Sequence, residues 1–190
     1  MGFYTAIPKV RAVDFLDQAG DPATLGRMQR NGDLVKAYDG TIAAKLGFQT
    51  CAVAGSNVTV ANATMADITG MSFTVGASET WHFLIAASYQ STTDEDAKWD
   101  FSGPVGASIV WTNIAFSSSL GFSAGGNIAI DADLTTGGAG AIDLGIWMSG
   151  KITNGVNAGT IQLRGAQAAE VDADVLTVYI GSHGLAWRAT

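Results

Sequence analysis

The sequence predicts an all-β protein, a jelly-roll-like β-sandwich or barrel over residues 51–190 that follows an extended N-terminal arm with a short β-hairpin over residues 1–50. From residue 51 onward, short runs rich in β-branched and aromatic residues alternate with Gly, Ser and Asn at nearly even spacing. No segment has convincing helical periodicity. A chain of 190 residues with 47% hydrophobic content has room for one buried core and a small appendage.

The first part of the arm has apolar side chains without helical or strand periodicity. They are Phe3, Tyr4, Ile7, Val10, Val13, Phe15 and Leu16. A segment of this kind cannot form a core alone, so we expect it to be buried only when it lies on another surface.

The second part of the arm predicts a β-hairpin. Asn31-Gly32 separates Arg27-Met28-Gln29-Arg30 from Asp33-Leu34-Val35-Lys36, and Asn-Gly favours the type I′ turn of tight hairpins. Asp39-Gly40 repeats the signal nearby. An isolated hairpin is marginally stable in water, so this one is expected to dock on the body or on a neighbour.

Nine strands are predicted in the body, each bounded by turn residues. They cover Val53–Val60, Ile68–Val75, Thr80–Ser88, Lys98–Ser102, Ser108–Phe116, Asn127–Ala132, Ala141–Met148, Thr160–Ala166 and Val175–Gly181. Alternate residues of a strand share one face, which groups Trp81 with Phe83 and Ile85, and also predicts the pairs Trp99/Phe101, Ile128/Ile130 and Ile161/Leu163. The residues predicted to pack in the core or between subunits are Phe73, Trp81, Phe83, Trp99, Phe101, Ile161, Leu163 and Tyr179.

Charge is sparse and uneven along the chain. Charged residues make up 14% of it, against about 25% in an ordinary soluble domain, which predicts that part of the surface lies against other subunits. Residues 1–50 hold six basic and five acidic side chains, a net charge of +1, and residues 51–190 hold four basic and twelve acidic ones, a net of −8. An acidic body repels phosphate, so no nucleic-acid partner is expected.

The residues that usually carry catalysis or bind zinc are few. His82 lies between two aromatic residues on a predicted strand, His183 lies in a predicted Gly-Ser-His-Gly turn, and Cys51 is the one cysteine. None stands in a nucleophile–base motif or at zinc-ligand spacing, and Cys51 is interpreted as a small buried side chain. We therefore expect no enzyme activity, catalytic residue, metal site or cofactor.

Three acidic clusters offer hard oxygen ligands: Asp94-Glu95-Asp96, Asp131-x-Asp133 and Asp172-x-Asp174. The second begins like a calcium-binding loop, but it lacks the glycine and the bidentate glutamate of the EF-hand. Solvated turn acids are the favoured interpretation, and calcium stays an alternative. The stretch at 135–140 lacks the Gly-Lys-Ser/Thr ending of a phosphate loop and is interpreted as a strand connection.

The N-terminal residues show no secretory signal, because the start MGFYTAIPKVRAV lacks a long apolar segment. No apolar run reaches the roughly 18 residues that a membrane span needs. We expect the protein to be made in a cytoplasm, with no membrane partner.

Several strings of residues, taken in order, resemble those of structural proteins from tailed-bacteriophage particles. In the body they are 67–73 (DITGMSF), 77–83 (ASETWHF), 103–107 (GPVGA), 161–167 (IQLRGAQ) and 181–188 (GSHGLAWR), and together they span about 120 residues. In the arm they are 21–23, Gly26 and 31–36. Where those proteins carry Gly before Glu79, this chain has Ser78.

The resemblance implies a virion structural role, commonly as a trimer with a jelly-roll-like fold. The first choice is a capsid decoration or cement protein on the outer capsid surface, which binds the major capsid protein as a homotrimer. The capsid-binding arm would then use Phe3, Tyr4, Ile7, Arg11, Phe15, Leu16, Arg27 and Arg30.

The alternative is a tail-fibre or head-fibre tip that binds a host receptor or glycan, with Trp111, Trp147 or Trp187 as a stacking platform for the sugar. Packing in the core or between subunits is the favoured interpretation of these tryptophans. A secreted domain of the tumour-necrosis-factor or C1q type is disfavoured by the missing signal.

Overall fold

The computed structural model describes residues 28–31, 34–38, 43–46, 48–91, 96–116, 122–127, 129–136, 142–169 and 175–189. The chain divides into two compact units, residues 1–47 and 48–190. All helical or strand structure in the described residues is β-strand, which confirms the predicted all-β class.

The first unit contains a three-stranded antiparallel sheet in the order β1 (Met28–Asn31), β2 (Leu34–Tyr38) and β3 (Ala43–Leu46). Asn31 lies opposite Leu34, so the predicted hairpin is present, with Asn31 as the last paired residue of its first strand. Tyr38 lies opposite Ala43, which places the Asp39-Gly40 signal in the second connection.

The second unit is a jelly-roll-like sandwich of two antiparallel sheets. The larger sheet contains β4 (Phe48–Ala52), β5 (Val58–Val60), β7 (Thr80–Ser91), β9 (Ser108–Phe116), β10 (Phe122–Asn127), β12 (Leu144–Thr153), β14 (Leu176–Val178) and β15 (His183–Arg188). The smaller sheet contains β6 (Ala66–Val75), β8 (Ala97–Ser102), β11 (Leu134–Thr136) and β13 (Gly159–Gln167), in the order β11-β8-β13-β6.

Strand β7 organises the larger sheet. On one side it pairs with β12 from Thr80 to Tyr89, and β12 continues outward to β9 and β10. On the other side its first half pairs with β15, and its last residues pair with β14. Strands β4 and β5 follow outside β15 and β14, so β7 lies inside the sheet and pairs with neighbours over most of both edges.

The core lies between the two sheets and follows from strict alternation. In β7 the odd-numbered residues from Trp81 to Ser91 are buried and the even-numbered ones are not. Phe101 of the smaller sheet packs against Phe83 and Trp111 of the larger one, with ring centroids 5.0 and 5.2 Å apart. Tyr89 and Trp99 meet edge to face at 5.2 Å, so aromatic contacts join the sheets along the core.

A bulge interrupts β6 opposite β13. Gly70 has a φ of +89°, and the register shifts between Gln162 and Arg164. The side-chain amide of Gln162 donates to the carbonyl oxygens of Ile68 and Met71, at 3.0 and 3.3 Å. Gly70 tolerates the left-handed backbone, and the side chain of Gln162 binds the displaced carbonyl groups. Together the two residues stabilise this bend.

Four predicted strands were wrong in their bounds. The strand predicted over 141–148 is Leu144–Thr153 in the structure. Residues 53–60 form no single strand, because a turn around Gly55, with a φ of +83°, separates β4 from β5. The run 175–181 ends at Val178 in the same way, since Gly181 adopts a φ of +90° before β15 begins at His183. His183 is therefore the first residue of a strand and not part of the turn.

The run 127–132 was predicted from its alternating isoleucines, but residues 129–131 form a bend and turn. Asp131 has a φ of +59°, and its amide donates to the carbonyl oxygen of Phe101 at 3.0 Å. Ile130 is half-buried and packs against the core, while Ile128 lies outside the described residues. Alternating apolar residues thus mark burial here without marking a strand.

Candidate functional site

The outer surface of the larger sheet presents a regular array of side chains across five strands. The array consists of three rows of residues that are paired across neighbouring strands, which we call rungs. Each rung runs from β4 through β15, β7 and β12 to β9. The first is Phe48, Trp187, His82, Lys151 and Val110; the second is Thr50, Leu185, Leu84, Ser149 and Thr112; the third is Ala52, His183, Ala86, Trp147 and Ile114. We name these fifteen residues the open face.

The open face is apolar at its centre and at its ends. Its six largest exposed aliphatic and aromatic residues, Phe48, Leu84, Val110, Ile114, Trp147 and Leu185, have between 37% and 54% of their surface exposed. Trp147 lies beside Ile114 on β9 and Ala86 on β7. Contiguous exposed apolar surface of this kind marks contact sites more often than isolated apolar residues do.

Charge on the open face is limited to Lys151, with the imidazoles of His82 and His183. No carboxylate belongs to its three rungs, although residues 51–190 carry a net charge of −8. The His82 ring stacks on Trp187, with centroids 5.8 Å apart and planes at 21°. The contact shown for the His82 imidazole is thus a packing contact with an indole.

The outer surface of the smaller sheet is built differently, from ion pairs. Arg164 on β13 reaches both carboxylate oxygens of Asp100 on β8, with 2.8 Å between its Nε and Asp100 Oδ1. Its Nη2 also donates to Asp131 at 2.6 Å. Lys98 lies 3.7 Å from Asp133. These pairs leave the carboxylates of the candidate calcium loop facing cations of the same chain.

The Asp100 carboxylate is the buried member of this cluster, at 1% exposure, while Asp131 is exposed. The hydrogen bond to Asp100 raises the pKa of Arg164, although its partial burial acts in the opposite direction. A buried carboxylate needs such a partner because an unpaired charge is unfavourable in the interior. Arg164 therefore stabilises the fold.

Polar groups also occur within the core. The Trp99 indole donates to Thr136 Oγ1 at 3.0 Å, and the Tyr89 hydroxyl lies 3.3 Å from the same oxygen. Burial raises the pKa of Tyr89, which keeps the phenol neutral. Burial likewise raises the pKa of Cys51, whose thiol is buried beneath the larger sheet as predicted. These groups satisfy one another and present nothing to solvent.

The structure places seven of the eight predicted packing residues in one core. Phe73, Trp81, Phe83, Trp99, Phe101, Ile161 and Leu163 are buried, and Tyr179 is half-buried with its hydroxyl donating to Gln90 at 3.1 Å. Trp111 is also buried, so it cannot serve as a sugar platform. Trp187 is half-buried against His82, and Trp147 is exposed.

Most of the predicted capsid-binding arm lies outside the described residues. This holds for Phe3, Tyr4, Ile7, Arg11, Phe15, Leu16 and Arg27. Arg30 lies in β1 opposite Val35. The capsid-binding role of the arm stays a prediction.

Within the described ranges, no group of three or more His, Cys, Asp or Glu side chains could hold a metal ion. Among the same residues no helix has the length and apolar character of a membrane span.

Sequence reasoning missed the open face as a unit. The signal was the set of residues between those assigned to the core, such as Leu84 between Phe83 and Ile85. No strand was predicted over residues 183–188, although His183, Leu185 and Trp187 alternate with the buried Gly184 and Ala186. Only the register of β15 between β4 and β7 brings these residues beside Phe48 and Leu84.

No family model matches the chain, and no curated protein matches it. Among solved structures, it is similar to that of infectious bursal disease virus Gt strain, with a TM-score of 0.22 and 8% identity over 89% of this chain and 46% of that one. It is also similar to the infectious bursal disease virus VP2 subviral particle, with a TM-score of 0.22 and 9% identity over 86% and 43%. The chain spans less than half of the length of those chains, and TM-scores of this size carry no argument about fold or function.

Proposed function

We propose that this protein is a structural component of a bacteriophage particle, and specifically a decoration or cement protein on the outside of the head. The observation that carries the assembly role is the open face, an apolar sheet surface without carboxylates on an otherwise acidic body. The virion setting rests on the order of the residue strings that resemble phage particle proteins. Neither argument calls for an active site or a cofactor.

In this proposal the body associates into a symmetric oligomer, with a homotrimer as the expected form. Low charge content and exposed apolar surface both favour association, and closed symmetry satisfies each contact surface. The oligomer would stand outside the shell and present several arms towards it.

Residues 1–50 act as the clamp on the major capsid protein. The arm carries a net charge of +1 against −8 for the body, so it is the part better matched to an acidic shell. Its apolar residues would be buried on the shell, and the free edges of the β1–β3 sheet can extend a neighbour's sheet by backbone hydrogen bonds. Joining several arms raises occupancy by a factor on the order of 10² through effective concentration.

The test is attachment to purified heads that lack the protein. The full chain should co-sediment with them and raise the temperature or internal pressure at which they break. A chain without residues 1–25 should keep its oligomeric mass and lose attachment. Normal decoration by the shortened chain would refute the clamp, and labelling found only at the tail tip would refute decoration.

A receptor-binding fibre tip is the second candidate, and one observation favours it. Trp147 has 54% of its surface exposed beside Ile114, and an exposed indole can stack on a sugar ring. Binding to host cells or to a glycan array that Trp147→Ala abolishes, without attachment to heads, would support the fibre role.

A further inference from the structure

The open face identifies which part of the body meets other molecules, and its charge indicates what those molecules are. The acidic side chains of the smaller sheet's surface, Asp67, Asp100, Asp131 and Asp133, lie on the opposite side of the sandwich from the open face. Each body therefore has an acidic side and an open face whose fifteen residues include one formal charge, that of Lys151, while the carboxylate of Asp143 lies near Tyr179 and Gln90 at the edge of the same sheet.

This arrangement determines how two such bodies can approach. Two chains whose bodies each carry −8 repel one another in most orientations. The repulsion is least when the carboxylate-free faces point towards the contact and the acidic sides point away. A positively charged partner would instead be drawn to the acidic side, and would leave the open face in water.

We propose that the open face is the self-association surface of this protein and that its occupant is a second copy of the chain. This inference rests on the assembly role proposed above and names the partner of that surface. With strands about 4.8 Å apart and residues about 3.3 Å apart, five strands and five residue positions project to roughly 400 Å². Two such faces in contact bury roughly 800 Å² in total, below the roughly 1,200–2,000 Å² of stable complexes, so the contact is a weak one and copies should dissociate at micromolar or higher concentrations.

The test compares the same change on the two sides of the sandwich. Leu84→Lys and Trp147→Lys add one positive charge to the open face, and Thr160→Lys adds the same charge to an exposed position on the smaller sheet. Sedimentation of the full chain between about 1 and 200 µM should show association for the wild type and for Thr160→Lys. Both open-face variants should weaken it at least about ten-fold, since a desolvated lysine is unfavourable at an apolar contact.

A second measurement stands even if a lysine variant fails to fold. Because Cys51 is buried, Ser149→Cys and Thr160→Cys each introduce an exposed thiol on one side of the body. Maleimide labelling of Ser149→Cys should be slow in the concentrated, associated protein and faster on dilution, whereas Thr160→Cys should label equally at both concentrations.

A dimer mass would put open face against open face, and a trimer mass would bring three open faces together around one axis; both support the inference. It is overturned by a wild-type monomer throughout the range, or by open-face variants that keep the wild-type mass and labelling. If association depends on the open face but heads are not bound, decoration is refuted and this inference stands.

Discussion

The outer surfaces of the two sheets differ in where their side chains find partners. On the smaller sheet, Arg164 binds Asp100 and Asp131, so these charged groups find partners within one chain although the surface stays acidic. On the larger sheet, Leu84 and Leu185 face each other across β7 and β15 and remain more than a third exposed. The first surface is complete in the monomer. The second gains stability only when something else covers it.

The comparison shows that low charge content alone does not locate an interface. Both surfaces belong to the same acidic body, yet only one lacks carboxylates. Pairing within the chain makes the charged surface a source of fold stability, and the absence of such pairing on the apolar surface is the basis on which association through that surface is proposed. Substitutions on the charged surface should therefore change the free energy of unfolding, and substitutions on the open face should change the dissociation constant of the oligomer.

The largest expected effect is on stability, at the charged surface. Arg164→Met leaves the carboxylate of Asp100 buried without its partner, and should lower the free energy of unfolding by roughly 3 kcal/mol in urea denaturation. Asp131→Asn removes only the exposed partner and keeps a residue that tolerates a positive φ, so its effect should stay under about 1 kcal/mol. Equal effects of the two changes would show that burial of Asp100 does not decide the stability.

A smaller effect distinguishes the surfaces by salt. Raising sodium chloride from about 0.05 M to about 1 M screens the repulsion between acidic bodies and strengthens apolar contact. The dissociation constant of the oligomer should fall on the order of three-fold, as measured by sedimentation. An association that weakens with salt would instead indicate that ion pairs, and not the open face, hold the copies together.

Two residues with left-handed backbone provide a third comparison. Ser78 has a φ of +57° in the β6–β7 connection, and its amide donates to the carbonyl oxygen of Gly155. Glycine adopts this backbone without strain, but it also raises the entropy of the unfolded chain. Ser78→Gly should therefore raise the free energy of unfolding by a net of about 0.5 kcal/mol. Asp131→Gly should give no gain, because the relief of strain is offset by loss of the bond to Arg164. Calorimetry on both variants checks the pair, and a destabilised Ser78→Gly would show that the serine is not strained.

The smallest effect concerns Cys51, beneath the open face. Burial raises its pKa above the ordinary 9.0, so the neutral thiol is favoured in the folded protein. Its contribution to stability is fully present below the unfolded pKa and is lost as pH rises through the folded one. The difference in unfolding free energy between wild type and Cys51→Ala should therefore move against the wild type from about pH 7.5 to about pH 10. A constant difference would contradict this.

The sequence predicted the all-β class and the inward residues well, because alternation in β7 and β13 is regular and the buried residues are large. Strand ends were predicted less well. Gly55 and Gly181 lie in runs that are otherwise apolar, and only their positive φ values show that the chain turns there.

The open face and the ion-pair cluster could not be predicted, because each depends on pairing between distant strands. Asp100, Asp131 and Arg164 meet only after β8 pairs with β13 and the turn at Asp131 bonds to Phe101. Likewise, Trp187 reaches His82 only in the observed register of β15. Local patterns determine which side of a strand is buried, but they do not determine which strands become neighbours.

The position of β15 has a consequence for the timing of folding. Strand β4 directly follows the first unit and pairs with β15 in the larger sheet. Strand β15 is the last of the described strands in chain order. During synthesis the β4 edge must therefore wait until residues 183–188 have left the ribosome, since contacts this distant in sequence form late. The same order delays completion of the open face, because Leu185 and Trp187 belong to it. A nascent chain would then lack the surface proposed for association until β15 has been synthesised, and self-association would be confined to chains in which β15 is in place.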